Sequence, residues 1–200
     1  TRKESSAASD VYKDSNTWRP ETVAAILPHG GHLLNDMSAL PDDRNARLCA
    51  AHGAALLIMH SVGLPKEKHT HVAWPDIMAE LDAFFTNRIA SATAAGLLPD
   101  QIILDPGIDF AKQAPDNLAI LRHCDRLLTF GRPILLPVSR KTVIGDTLAL
   151  PNPLDRDPGT IACLTAGTLR GMHIFRVHHV PAAVAALRVL DPLIDRTLPD

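Results

Sequence analysis

The chain has 200 residues, 46% of them hydrophobic, with 20 basic and 22 acidic side chains and a formal net charge of −2. Such a chain is globular and can bury a substantial core, so residues 1–200 read as a single domain with an irregular start at 1–10. The balanced charge offers no basic field for nucleic acid or an anionic membrane. No apolar run approaches the length of a membrane span, and Thr1-Arg2-Lys3-Glu4-Ser5-Ser6 lacks the apolar core of a signal peptide. Cys49, Cys124 and Cys163 are odd in number and far apart, which argues against a disulfide framework or zinc site. They read as small buried apolar side chains in a reducing, cytoplasmic compartment.

Short apolar runs alternate with helical patterns. Residues 10–17 suit a short polar strand, and Thr17-Trp18-Arg19-Pro20-Glu21 starts a helix that ends near Leu27. The run His32-Leu33-Leu34 leads into Asn35-Asp36, and residues 42–52 read as a helix capped by Asp42 or Asp43 and stopped by Gly53. The run 55–59 leads into His60. After a polar loop, residues 74–95 form a long helix whose apolar residues Ile77, Leu81, Phe84, Phe85, Ile89 and Ala92 recur at helical spacing. Ile102-Ile103-Leu104 leads into Asp105-Pro106-Gly107. The next helix starts at Pro115, carries Leu118, Leu121 and Leu128 and ends at Gly131. The run 134–138 leads into Ser139-Arg140-Lys141, followed by a polar loop at 150–158 and a helix over 159–169. Met172-His173-Ile174-Phe175 leads into Arg176-Val177-His178, and Pro181 opens the last helix, 182–190.

That order is β-α repeated, six units counting the less regular front end. Strand cores with few polar residues suit parallel strands covered on both faces. Each crossover is long enough for a helix. A barrel and an open doubly wound sheet both fit, although no GxGxxG or GxxxxGK[ST] motif supports a common nucleotide-binding open sheet. A full eight-unit barrel takes about 250 residues, so a barrel here would be incomplete.

If the runs are parallel, Asn35, His60, Asp105, Lys141, Arg176 and His178 share the rim where α/β enzymes place their chemistry. Asp105 suits the paired N–H donors of an amidine-like heterocycle edge, or else caps its own loop. Lys141 suits a heterocycle carbonyl or an anionic leaving group, or else is a solvated surface cation. Arg176 and His178 leave one strand on the same side and suit an oxyanion or phosphate; a structural histidine is the alternative for His178. Met59 suits core packing. His69-Thr70-His71 has metal-ligand spacing but no evident third ligand.

These strings together resemble dihydropteroate synthase, a pterin-binding enzyme family. LLND (33–36) resembles its IND segment, LLIMHSVGLP (56–65) its MHxxGxP, and IILDPGIDFAKQAPDNLAIL (102–121) its ILDPGIGFGKxxxxNLxLL. GRPILLPVSRKTVIG (131–145) resembles GxPxLxGxSRKxxIG, and GT (159–160) and FRVHHV (175–180) resemble GTLA and RVHDV. The resemblance implies a (β/α)8 TIM-barrel-like fold, apparently incomplete, with about six β/α units present. It implies condensation of 6-hydroxymethyl-7,8-dihydropterin diphosphate with p-aminobenzoate to 7,8-dihydropteroate and pyrophosphate, in folate biosynthesis and as a sulfonamide target. Asn35, Asp105 and Lys141 would bind the pterin, with Asp105 and Lys141 the catalytic pair and Met59 packing near the ring. Arg176 and His178 would bind diphosphate, and Ser139 and Phe110 would border the aminobenzoate. Mg²⁺ and a homodimer are implied by the resemblance only, with no metal-binding residue identified.

Three departures stand out. Asn16, in DSNTWRPE (14–21), stands where the family's pterin-binding Asp is expected; Asn is neutral and donates as well as accepts. Asp109 stands where Gly is usual, and His179 where Asp is usual. The first strand and the NxTxDSF loop have no counterpart upstream, and only Glu4-Ser5-Ser6 echoes the second loop. Impaired turnover is therefore an expectation. A non-catalytic pterin-binding paralogue and a pterin-dependent methyltransferase-like domain are the alternatives.

Overall fold

Three of the short apolar runs and the polar segment before them pair in one sheet, and the pairings among its first three strands are parallel. The computed structural model describes residues 14–63 and 72–194. Strands β1 (Asp14–Asn16), β2 (Leu33–Asp36), β3 (Ala55–Met59) and β4 (Ile102–Asp105) form one sheet in the order β1-β2-β3-β4. The register sets Asn16 beside Asn35 and Asn35 beside Leu57. Four of the five residues of β3 are buried, so both faces are covered and the run shows no polar alternation.

The helices between the strands are α1 (Pro20–Ile26), α2 (Arg44–His52), α3 (Ile77–Ala94), α4 (Ala114–His123), α5 (Thr142–Leu148), α6 (Asp157–Leu169) and α7 (Val180–Leu190). The runs at 134–138 and 172–175 do not become full strands. They meet in one parallel bridge, Leu135 with Ile174, supported by the Leu136 N–H donating to Ile174 O at 2.8 Å. Pro133 and Pro137 flank this segment and have no N–H to extend the ladder. Counting this pair, β/α alternation runs through six units among the described residues, as in a TIM-barrel-like α/β chain.

Two compact units interleave along the sequence: residues 1–67 with 83–104, and residues 68–82 with 105–200. The first is built on Leu34, Leu56, Ile58, Phe85, Leu97 and Leu104, the second on Ile108, Ile120, Leu127, Ile134, Leu136 and Leu164, all buried. In the second unit, a Cβ added to Gly167 of α6 would lie 2.7 Å from Leu136 Cδ2, so the small residue permits the close seating of α6 on the bridged run.

Local chemistry moves several boundaries. Helix α3 starts at Ile77 rather than near Trp74, because Asp76 Oδ1 accepts from the N–H groups of Met78 and Ala79 at 2.9 and 3.0 Å. Helix α4 ends at His123 and tightens into a 3₁₀ segment, Cys124–Phe130. Ile120, Cys124 and Leu127 point inward there, while Leu118 and Leu128 are 40% and 37% exposed. Helix α5 occupies a stretch where the pattern suggested no helix, being only seven residues long. Helix α2 ends as expected at Gly53, with φ 66°.

Cys49 and Cys124 are buried and all three thiols are free. Burial pushes the Cys49 thiol up to about 12, as suits packing rather than reactivity. No helix among the described residues is long and apolar enough to cross a membrane. The inward face of α4 is testable by urea denaturation. Ile120→Ala should cost about 2–5 kcal/mol, and Leu118→Ala no more than about 0.5 kcal/mol. Equal costs would contradict the burial pattern.

Candidate functional site

In the first unit the β1/β2 register carries a polar pair at the strand ends. Asn35 Nδ2 donates to Asn16 Oδ1 at 2.6 Å. Asn35 is only 3% exposed, and its Oδ1 is a buried acceptor without a partner among the described residues. An unmet buried acceptor is costly, so this atom is suited to a ligand N–H. Asp36 is satisfied internally by the Ser38 N–H at 2.8 Å and by Asn45 Nδ2 at 2.8 Å. Met59 is buried, and His60 is fully buried with its ring edge-on to Phe84 at 4.7 Å. His60 therefore packs in the core rather than presenting an open imidazole.

In the second unit the chemistry gathers around Asp105, 2% exposed at the end of β4. Its Oδ1 accepts from the Gly107 N–H at 2.7 Å, a tight turn that Gly107 makes with φ 68°. Burial pushes the Asp105 carboxyl up to about 6, opposed by that hydrogen bond and by the charges of Lys141, Lys112 and Arg176. Lys112 is only 7% exposed, and its Nζ donates to Phe110 O at 3.0 Å. Burial brings the Lys112 ammonium down to about 7, with Asp105 the first of the charges that oppose the change. Lys141 Nζ donates to Ile108 O at 3.0 Å and sits 4.5 Å from the Phe110 ring centroid, a cation–π contact. Burial also lowers the Lys141 pKa, against the charges of Asp109 and Asp105.

The Ser-Arg-Lys segment divides its labour. Ser139 Oγ meets His178 Nδ1 at 2.8 Å and accepts from the His178 N–H at 3.1 Å, so Ser139 and His178 are one unit. Arg140 turns away and clasps Asp157 with two bonds of 2.7 and 2.8 Å, while its N–H donates to Thr160 Oγ1 at 3.0 Å. Thr160 is the Thr of the GT motif, so that motif holds the turn in place. Arg156 Nη1 reaches the Arg140 carbonyl at 3.1 Å. A Cβ on Gly145 would meet the Arg156 guanidinium at 2.4 Å, so Arg156 lies directly against this glycine. Arg176 is exposed, and its charge is felt at both Asp105 and Lys141. His179, the departure from Asp, caps α7: its Nδ1 accepts from the Ala182 N–H at 3.1 Å.

The second unit thus brings together Asp105, Lys141, Phe110 and Arg176, and separately Ser139 with His178. The first brings together Asn16 and Asn35. The sequence reading gave Lys112 no role, although it falls on the Lys that closes the ILDPGIGFGK string. His69 and His71 lie outside the described residues. Among the described residues no three His, Cys, Asp or Glu side chains converge as metal ligands.

A family model described as pterin binding enzyme matches residues 14–178. The chain belongs to that family. Dihydropteroate synthase of Escherichia coli (strain K12) is 31% identical over 182 residues, 91% of this chain and 64% of the relative. The chain therefore spans about 64% of the length of such relatives. Two crystal structures of dihydropteroate synthase from Thermus thermophilus are similar to this pterin-binding family member. The one in complex with 6HMPPP has a TM-score of 0.85 at 34% identity, covering 94% of this chain and 72% of that one. The one in complex with 4-aminobenzoate has a TM-score of 0.88 at 36% identity, covering 95% and 77%.

The charge cluster around Asp105 makes a prediction that needs no ligand. A ¹³C NMR titration of the Asp105 carboxyl should show a midpoint near 6. Lys112→Met removes a cation that favours the ionised form, so the midpoint should move to higher pH. An unmoved midpoint would mean that Lys112 does not act on Asp105.

Proposed function

We propose that the chain acts as a dihydropteroate synthase, joining 6-hydroxymethyl-7,8-dihydropterin diphosphate to p-aminobenzoate. The observation that carries this reading is the buried Asp105 carboxylate under the charges of Lys112, Lys141 and Arg176. A desolvated carboxylate suits the paired N–H donors of a pterin's amidine edge, and a cation beside it suits the ring carbonyl. In the second unit Asp105 and Lys141 are the proposed pterin-binding and catalytic pair. Arg176 takes the diphosphate with His178, whose Nε2 is left for phosphate once Ser139 engages Nδ1. Ser139 and Phe110 border the aminobenzoate. In the first unit Asn35 offers its unmet Oδ1 to a pterin N–H, with Asn16 as its partner and Met59 as apolar support.

The proposed chemistry breaks the bond between the pterin methylene carbon and its diphosphate oxygen. The electron pair leaves with pyrophosphate, and the pterin ring spreads the resulting positive charge. The amine nitrogen then bonds to that carbon and gives up its proton. The protein's part is to orient the reactants and stabilise charge. The three free thiols support a reducing, cytoplasmic setting, and the exposed Val180, Val184 and Val189 of α7 support a homodimer.

One observation favours a second reading, pterin binding without condensation. Asn16 carries no charge, and its Oδ1 is already occupied by Asn35. Product assay of the purified chain with both substrates separates the two: dihydropteroate formation supports the synthase, and pterin binding without product supports the binder.

Calorimetry tests the residues. Asp105→Asn should weaken pterin binding by about 1.5–3 kcal/mol, the range for hydrogen bonds to a charged group. Unchanged affinity would remove Asp105 from the site. Wild-type affinity should hold near pH 8 and decline as pH falls through about 6, because a protonated Asp105 loses an acceptor. Arg176→Ala should weaken the diphosphate ligand far more than the pterin alone; an equal loss for both would remove the anion role.

A further inference from the structure

Asp109, which stands where the resemblance has a glycine, is tied to more partners than a loop residue needs. Asp109 has φ 65°, a left-handed conformation natural to glycine and unfavourable for most side chains. Gly107 at 68° and Ala111 at 52° flank it, so the loop alternates through the left-handed region. The loop is held there by its surroundings. Trp74 Nε1 donates to Ala111 O at 2.8 Å, and Asn117 of α4 forms a reciprocal pair with Asp109: Oδ1 accepts the Asp109 N–H and Nδ2 donates to its Oδ1, both at 2.9 Å. A glycine would make this turn more easily. What the carboxylate adds lies across the loop. Its Oδ2 accepts from the Thr142 N–H, and its Oδ1 accepts from the Val143 N–H at 3.3 Å. These are the first two N–H groups of α5, and the residue at the N-cap of α5 is Lys141, whose own side chain makes no cap hydrogen bond.

We propose that Asp109 is a positioning residue for Lys141: its carboxylate closes the first turn of α5 from outside the helix and holds a negative charge beside the Lys141 ammonium. The two effects come from one group. The cap fixes the backbone from which the Lys141 side chain departs, and Lys141 Nζ returns to the same loop at Ile108 O, 3.0 Å away. The circuit Asp109–Thr142–Lys141–Ile108 therefore closes on itself, and Lys141 is held at both ends. The charged groups felt at Lys141 are Asp109, Asp105 and Arg176, while Lys112 and Lys141 repel each other. Asp109 is the first of the charges that keep Lys141 protonated against its burial. This inference rests on the synthase reading only where a pterin ligand is used.

The test uses two variants of the full chain. Asp109→Asn keeps an acceptor and the conformational tolerance but removes the charge. Asp109→Gly removes both and relaxes the backbone. The first readout needs no ligand: an NMR titration of the Lys141 side chain, assigned with Lys141→Met. Both variants should titrate Lys141 at lower pH than wild type, and Asp109→Asn should do so with an intact fold by circular dichroism. The second readout is the alkaline limit of pterin diphosphate binding, which should move to lower pH in step, so that affinity drops by a larger factor at pH 9 than at pH 7. A Lys141 titration unchanged in folded Asp109→Asn would overturn the proposal. If wild type binds no pterin, the synthase reading fails, and the Lys141 titration still decides the role of Asp109.

Discussion

A carboxylate held out of water among cations is the constraint on which the second unit's chemistry depends. An ionised group in a low-dielectric interior neutralises unless charges and hydrogen bonds compensate its lost hydration. Asp105 is 2% exposed, and its compensation comes from the Gly107 N–H and from Lys112, Lys141 and Arg176. The dependence is mutual, since Lys112 is itself buried and Asp105 is the first of the charges that oppose its desolvation. Neither partner suits its place without the other. Burial and charge together bring their protonation equilibria near neutrality, where a small change in surroundings alters the state.

The loop that carries Lys112 beside Asp105 is strained. Gly107, Asp109 and Ala111 all adopt left-handed conformations, each costing on the order of 1–3 kcal/mol for a non-glycine residue. Such a loop persists only because it is pinned from several sides: the Trp74 indole at Ala111, Asn117 at Asp109, and two lysine side chains on the carbonyls of Ile108 and Phe110. The lysines thus serve two purposes. Each supplies charge near Asp105 and satisfies a backbone oxygen that the strained path leaves without a ladder partner.

The Ser139-Arg140-Lys141 turn is built on the same logic with other residues. Arg140, at φ 58°, is fixed by Asp157 and Thr160, and Arg156 gathers the carbonyls of Leu150, Pro151 and Arg140. The Ser139 and Lys141 side chains on either side of Arg140 are therefore set by a neighbour that turns away from them. His179 caps α7 with an imidazole nitrogen, which accepts the Ala182 N–H as a carboxylate also could.

The amino-acid order by itself determined the β/α alternation, the stops at Gly53 and Gly131, the second of which closes a 3₁₀ segment rather than the helix, and the position of each polar group after its apolar run. These are local consequences of strand burial, caps and breakers, legible within a dozen residues. It also marked Asn35, Asp105, Lys141, Arg176 and Ser139, because a polar residue closing an apolar run is conspicuous. Only the tertiary structure decided what each of them meets. It put Asn16 on Asn35 through strand register, turned Arg140 onto Asp157, packed His60 against Phe84, rotated Leu118 outward in favour of Ile120, and drew Lys112 inside. The physical reason is common to all five. Burial and charge pairing are set by partners distant in sequence, and a side chain's chemistry fixes which partners it needs but not which ones the fold supplies.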